Sequence, residues 1–385
     1  MKAIPNANDS RAWATIDLGA LLANLAKARA YKPEAAIVAI VKANAYGHGA
    51  IAVAQTLRGQ LREDDCFCVA SIDEALELRR AGINNSILLL EGVFNAAHLR
   101  QAVENNFALV VHSPFQLALL ETFFEARPLS TPLTIWLKID TGMHRLGLSA
   151  SEFKQAWQAL NWHVHVHKLV VMSHFACADD KASDMTGRQL ALLGKILDDA
   201  GVAADKREIS FAASSAIQQW PESHFQWLRP GIMLYGGTAI VGENAIERDI
   251  APVMTLRARL IAIKTVAAGE SIGYGASYVC EHEQRIGVIS IGYGDGYPRR
   301  MPAGSPVLLK CSGKKGAEPR RVPLCGRVSM DMTIVDLSEC PDARVGDEAI
   351  LWGEGLPADE IAQRCNTIAY ELFCQVTPRV HYIYV

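Results

Sequence analysis

Eight short apolar runs, separated by longer helical patterns, constrain this chain more than any other feature. They read "IVAIV" (37–41), "CFCVAS" (66–71), "SILLLEG" (86–92), "FALVVHS" (107–113), "LTIWLKID" (133–140), "LVVMSHF" (169–175), "EISFAAS" (208–214) and "FQWLRPGIMLYG" (225–236). Continuous apolar runs of this length suit parallel strands that are covered on both faces. The intervening segments carry helix signals. "SIDEALELRRAG" opens on a serine, places acids in its first turn and arginines in its last, and ends on glycine. Strand and helix alternating eight times predict an α/β fold with a closed (β/α)8 barrel of TIM type, whose chemistry belongs at the carboxyl ends of the strands.

After Gly237 the helical patterns nearly vanish. "MTLRARLIAIKTV", "RIGVISIGYG", "SPVLLKCS", "MTIVDLS" and "EAILWG" alternate or run apolar between Gly, Pro and Asp, with one late helix in "PADEIAQRCN". This predicts a C-terminal, mostly β domain. A chain of 385 residues is long for one core, and the expected division is a barrel over 12–238 and a β domain over 239–385, with residues 1–11 associated with the latter.

Charge narrows the function. The 38 basic and 41 acidic residues are dispersed and nearly balanced, which argues against nucleic acid or an anionic membrane as the main partner. Neither a signal-peptide core nor a bilayer-spanning segment is visible, so a cytoplasmic protein is expected. Nine cysteines at irregular spacing suit reduced thiols. His163, His165 and His167 alternate in "HVHVHK" without an acidic or cysteine partner at useful spacing, so no metal is expected. Asp179 and Asp180 are expected to cap the following helix.

The first apolar run ends in Lys42, followed by "ANAYGHG". A lysine amine at a barrel strand's carboxyl end can form an imine with a carbonyl; the plainer reading is a side chain reaching from the rim to water. Tyr46 lies four residues on, with glycines that permit close backbone approach to a ligand.

"VKANAYGHG" resembles the motif of the alanine racemase family. "LKIDTGMHRLGL", "SHFACAD", "LRPGIMLYG", "IGYGASY", "IGYGDGYPR" and "GRVSMDM" resemble the family's further motifs in the family's order. Seven ordered motifs over nearly the whole chain are a specific signal. The resemblance implies pyridoxal 5'-phosphate carried on Lys42, and a two-base racemisation of L- and D-alanine that supplies D-alanine for peptidoglycan. Lys42 and Tyr274 would serve as acid/base groups on opposite faces, since one group on one face would return the proton to the face it left. It further implies that His174 and Arg229 support the tyrosine and that Arg229 faces the cofactor's pyridine nitrogen. The phosphate would lie on Tyr46, Ser215 and the N–H groups of Gly231 and Ile232. Arg145 and the Met330 N–H would receive the substrate carboxylate, and Lys138 matches a lysine that is carbamylated in many members. The family's tyrosine comes from the other subunit, so a homodimer with shared active sites is expected.

Two positions depart from the family's pattern. Ser214 stands where asparagine is common, and Pro378 where a gate-lining tyrosine is common; Tyr293 matches the other gate tyrosine. Competing readings are a racemase that also takes serine or other small amino acids, a fold-related decarboxylase and a non-catalytic pyridoxal-phosphate carrier. No role is assigned to His48.

Overall fold

The computed structural model describes residues 10–126, 129, 131–312 and 318–385. Two compact units result, one formed by Leu25–Leu234 with Ala239–Gly242, the other by the described residues up to Asn24, Tyr235–Thr238 and Glu243–Val385.

The first unit is a closed barrel of eight parallel strands. If Ala12–Ile16 is labelled β1, the barrel strands are β2 (Ala36–Ile40), β3 (Cys66–Val69), β4 (Ser86–Leu89), β5 (Phe107–Val111), β6 (Leu133–Lys138), β7 (Val166–Met172), β8 (Ile209–Ala213) and β9 (Trp227–Arg229). Each falls within one of the eight apolar runs, or overlaps it, and β9 closes on β2 through Ala36–Trp227 and Ile37–Leu228. Ile37, Val38 and Ala39 have no exposed surface. The strands therefore read as mostly apolar sequence because the barrel interior covers one face and the surrounding helices the other. Helix Ile72–Arg80 begins with a capping box, Ser71 with Glu74.

The second unit is a β-sheet of eight strands with a separate two-stranded ribbon. Its long β10 (Met254–Val266) pairs with β1 and with β17 (Glu348–Trp352) along its first half. From Leu260 onward, with an irregularity between Leu260 and Ala262, it pairs with β13 (Gln284–Ile289). β1 also pairs in parallel with β18 (His381–Tyr384). The barrel expected from residue 12 thus begins later, because Ala12–Ile16 completes the ladder of the other unit. Of the expected N-terminal association, residues 1–9 lie outside the described residues. The Arg11 carbonyl accepts from Arg259 N–H at 3.0 Å. A second late helix, Ala369–Gln375, follows the expected one, Ala358–Arg364. Among the described residues no helix is long and apolar enough to cross a membrane.

Candidate active site

The chain leaves β2 at Ile40 and reaches Lys42 at the strand's carboxyl end, half-buried. From there it does what few L-residues do. Ala43, Asn44, Ala45 and Tyr46 have φ of 52°, 54°, 54° and 49°, one turn of left-handed helix built without glycine. Each such residue is disfavoured by about 1–2 kcal/mol, so the turn is held from outside. Ala45 N–H donates to Val41 O and Gly47 N–H to Ala43 O, both at 2.9 Å, while Asn44 Oδ1 accepts from Ala50 N–H at 2.8 Å. The consequence is that Tyr46 is turned into the protein, only 7% exposed, while Ala43 and Asn44 face outward.

A concentration of positive charge gathers at the ends of β6, β7 and β9. Lys138 is buried, and its pKa is pushed down to about 8, first by burial and then by Arg229, Arg145 and Lys42, with Asp140 opposing. His174 follows β7. Burial, and then Arg229, Lys138, Arg145 and Lys42, hold its imidazole well below the ordinary value and hence neutral at physiological pH. Arg229 ends β9; burial lowers its pKa to about 10, which leaves it charged at neutral pH. Its guanidinium donates to Ser210 Oγ at 2.7 Å, Ser173 O at 2.7 Å, Phe211 O at 3.1 Å and His174 Nδ1 at 3.2 Å. Because arginine only donates, His174 Nδ1 is the acceptor and the ring proton sits on Nε2. Arg145 is exposed, in the loop that Asp140 shapes by accepting from Gly142 and His144 N–H. Four cations around one neutral histidine make a site that calls for anions.

The turn beyond β9 is equally close-fitting. A Cβ at Gly231 would lie 2.9 Å from Tyr46 Oη, so only glycine lets that hydroxyl reach this stretch of backbone. Gly231 N–H, expected as a donor to an anion, is engaged by Ser214 Oγ at 2.9 Å, which also accepts from Met233 N–H at 3.3 Å. Ser214 thereby has a definite place, bracing the turn. No backbone partner of Ile232 N–H occurs among the described residues, and Ser215 is half-buried at the start of helix Ser214–Gln219.

In the second unit Tyr274 is 71% exposed at the tip of the ribbon formed by β11 (Ser271–Ile272) and β12 (Tyr278–Val279). Gly273 and Gly275, with φ of 75° and 80°, make that tip possible. The ribbon is anchored by Gln284 Nε2, which donates to Tyr278 Oη at 2.9 Å and Asp336 Oδ2 at 2.6 Å. Met330 is 52% exposed, and its carbonyl accepts from Gly294 N–H at 2.9 Å. Tyr293 N–H donates to Ser329 O at 3.0 Å. This joins the Tyr293 and Met330 loops. Asp295, fully buried, secures them by accepting from Gly292 N–H and pairing with Arg11 and Arg379.

Lys42, Tyr46, Lys138, Arg145, His174, Ser215, Arg229, Gly231 and Ile232 therefore belong to the barrel unit and Tyr274, Tyr293 and Met330 to the other. Sequence reasoning missed Ser214 and the buried His48, whose signal was only its place in the glycine-flanked segment. Asp179 and Asp180 do not cap the next helix, which begins at Met185 with Asp184 at the N-cap; Asp180 Oδ1 accepts from Ala182 N–H instead. His163 and His165 pack on Phe124, with ring centroids at 4.7 and 5.3 Å.

Known proteins align with both units. Residues 16–239 match the alanine racemase N-terminal domain and residues 253–384 the alanine racemase C-terminal domain. The alanine racemase of Shewanella amazonensis is 45% identical over 372 residues, covering 95% of this chain and 97% of its own length. The crystal structure of biosynthetic alanine racemase from Pseudomonas aeruginosa superposes with a TM-score of 0.89 at 44% identity, over 98% of this chain and 99% of that one. That of alanine racemase from Bartonella henselae with covalently bound pyridoxal phosphate gives 0.84 at 28% identity, over 98% and 100%. With both domain models matched and near-complete coverage, the chain belongs to the alanine racemase family.

Proposed function

We propose that the protein is a pyridoxal-phosphate-dependent isomerase that interconverts L- and D-alanine, with Lys42 and Tyr274 as its two acid/base groups. The observation that carries this reading is the cationic end of the barrel, where Lys42, Lys138, Arg145 and Arg229 converge on a neutral His174. Two kinds of anion meet there in the proposed reaction, a phosphate and an amino-acid carboxylate. The residues also fit the cofactor sterically. Glycine at 231 leaves room for the Tyr46 hydroxyl, Ile232 offers an N–H, and Ser215 adds a hydroxyl at the phosphate end.

When bound, pyridoxal phosphate withdraws electrons from the substrate and acidifies its α C–H. Racemisation then needs a proton taken from one face and another delivered to the opposite face. Lys42 Nζ serves one face and Tyr274 Oη the other. Arg229 is always charged and only donates, so it cannot hand a proton to a ring nitrogen as a carboxylic acid would. This restrains electron withdrawal and with it transamination. Its donation to His174 Nδ1 leaves the ring proton on Nε2, able to donate to a tyrosine oxygen. The Arg145 guanidinium presents a fork suited to a carboxylate, and the Met330 N–H is the second donor. Lys138, with its pKa near 8, keeps an appreciable share of neutral amine, the form that adds carbon dioxide. Its carbamate would neutralise part of the cluster and orient Arg145.

Sites shared between the subunits of a cytoplasmic homodimer complete the reading, with D-alanine for peptidoglycan as the product's use. Optical rotation of L-alanine and D-alanine with the purified protein tests the activity: racemisation of both is expected, and no change with either would refute it. Carbon dioxide release in its place would indicate a decarboxylase. Mixing Lys42→Ala with Tyr274→Phe protein under subunit exchange should restore part of the activity, and a complete failure would refute the shared site.

A further inference from the structure

The left-handed turn Ala43–Tyr46 separates the two residues to which the cofactor is assigned, and two side chains that no proposed step uses grip it from opposite ends. Glu74 comes from the helix after β3. Its Oε1 accepts from Ala43 N–H at 2.7 Å, while Oε2 accepts from Ala70 N–H at 2.8 Å and Ser71 N–H at 3.3 Å. One carboxylate thus closes the capping box of its own helix and holds the first residue of the left-handed turn. His48 lies beyond the turn's other end, with no exposed surface. Its Nδ1 stands 3.1 Å from Ala45 O and 2.9 Å from Tyr46 O. Carbonyl oxygens only accept, so Nδ1 carries the proton and bridges the last two carbonyls of the turn. Burial depresses the imidazole pKa to about 4, which keeps the ring neutral.

We infer that Glu74 and His48 are positioning residues, a clamp whose task is to hold the left-handed turn so that Lys42 and Tyr46 point at the same bound cofactor. A turn of four non-glycine residues at positive φ has a right-handed alternative of lower local energy. Adopting it would swing Tyr46 away from Lys42, because the side chains of opposite-handed turns project in opposite rotational sense. The charge-assisted bond from Ala43 N–H to the Glu74 carboxylate is the stronger restraint against that relaxation, and the His48 bridge adds to it. The inference rests on the proposed function, since it concerns the lysine and tyrosine that reading assigns to pyridoxal phosphate.

The test uses the full-length protein and a control with the same local motif. Glu152 closes an equivalent capping box with Ser149 on helix Ala150–Leu160 and touches no left-handed turn. In Glu74→Gln one acceptor oxygen becomes an NH2 group facing N–H donors. Titration of coenzyme-free protein with pyridoxal phosphate should show about tenfold weaker binding, and at saturating cofactor a smaller fraction fixed by borohydride, whereas Glu152→Gln should match wild type in both. His48→Phe should lose affinity similarly, and His48→Gln, which retains an N–H donor, should recover part of it. Wild-type affinity and fixation in Glu74→Gln and His48→Phe, or equal losses in Glu152→Gln, would overturn the clamp. A wild-type protein that takes up no pyridoxal phosphate would overturn the function beneath it, which separates the two failures.

Discussion

Substituting Gly231 by alanine tests whether the Tyr46 hydroxyl occupies the space that a glycine was needed to leave. Gly231 is not among the residues at positive φ, so its backbone accepts alanine and any effect comes from the added methyl. That methyl would sit 2.9 Å from Tyr46 Oη, but 3.6 Å from the nearest ring carbons, Cε2 and Cζ. Only the hydroxyl is in the way, and ordinary contact requires a displacement of about half an ångström. Tyr46 is buried and cannot swing out, so overpacking costs about 1–3 kcal/mol of stability. A hydroxyl displaced from a phosphate forfeits a charge-assisted bond of about 1.5–3 kcal/mol, a tenfold to hundredfold loss in cofactor affinity. The decisive measurement is a double-mutant cycle on pyridoxal-phosphate binding. Gly231→Ala combined with Tyr46→Phe should bind like Tyr46→Phe alone, since the clash is removed with the oxygen it concerns. Additive losses in the double mutant would show that Gly231 acts through something other than Tyr46 and refute the reasoning.

Three further outcomes are expected. Lys138, at a pKa near 8, should yield a carbamate carbon signal by NMR in 13C-bicarbonate that is absent from Lys138→Arg. His48 titrates at about 4 when folded against 6.5 ordinarily, so between those values the unfolded chain binds the additional proton and stability falls as pH falls; the whole window amounts to about 3 kcal/mol. Urea titrations from pH 7 to 4 should show a shallower decline in His48→Gln than in wild type. Asp295→Ala removes the acceptor shared by Gly292 N–H, Arg11 and Arg379, and denaturant unfolding should show a loss of about 1–3 kcal/mol.

The barrel strands were legible because burial on both faces leaves few polar residues within them, and the β domain because alternation survives in strands with one covered face. β1 was not singled out: "AWATI" is short and apolar, and only its partners, β10 and β18, place it in the second unit. β18, "HYIY", carries no apolar alternation at all. Within the site, the residue types Lys42, His174 and Arg229 could be picked out by motif, but the hand of the backbone after Lys42 could not. "ANAY" contains no glycine to announce positive φ, and its conformation is held by contacts with Glu74 and His48 outside it. Ser214 was obscure for a similar reason, since which of two adjacent serines meets Gly231 depends on how the turn after β8 packs against that after β9.

The pairing of β1 has a consequence for how the protein is made. A nascent chain emerges with Ala12–Ile16 first, yet the two strands that flank it are Met254–Val266 and His381–Tyr384. Every strand of the barrel, through Arg229, emerges from the ribosome before either partner of β1 does. The barrel can therefore close during synthesis, as an insertion within a sheet still open on both sides of its first strand. Through that interval "AWATI" is an apolar strand with bare edges, the kind of segment chaperones shield, and translation of the final strand is what ends its exposure.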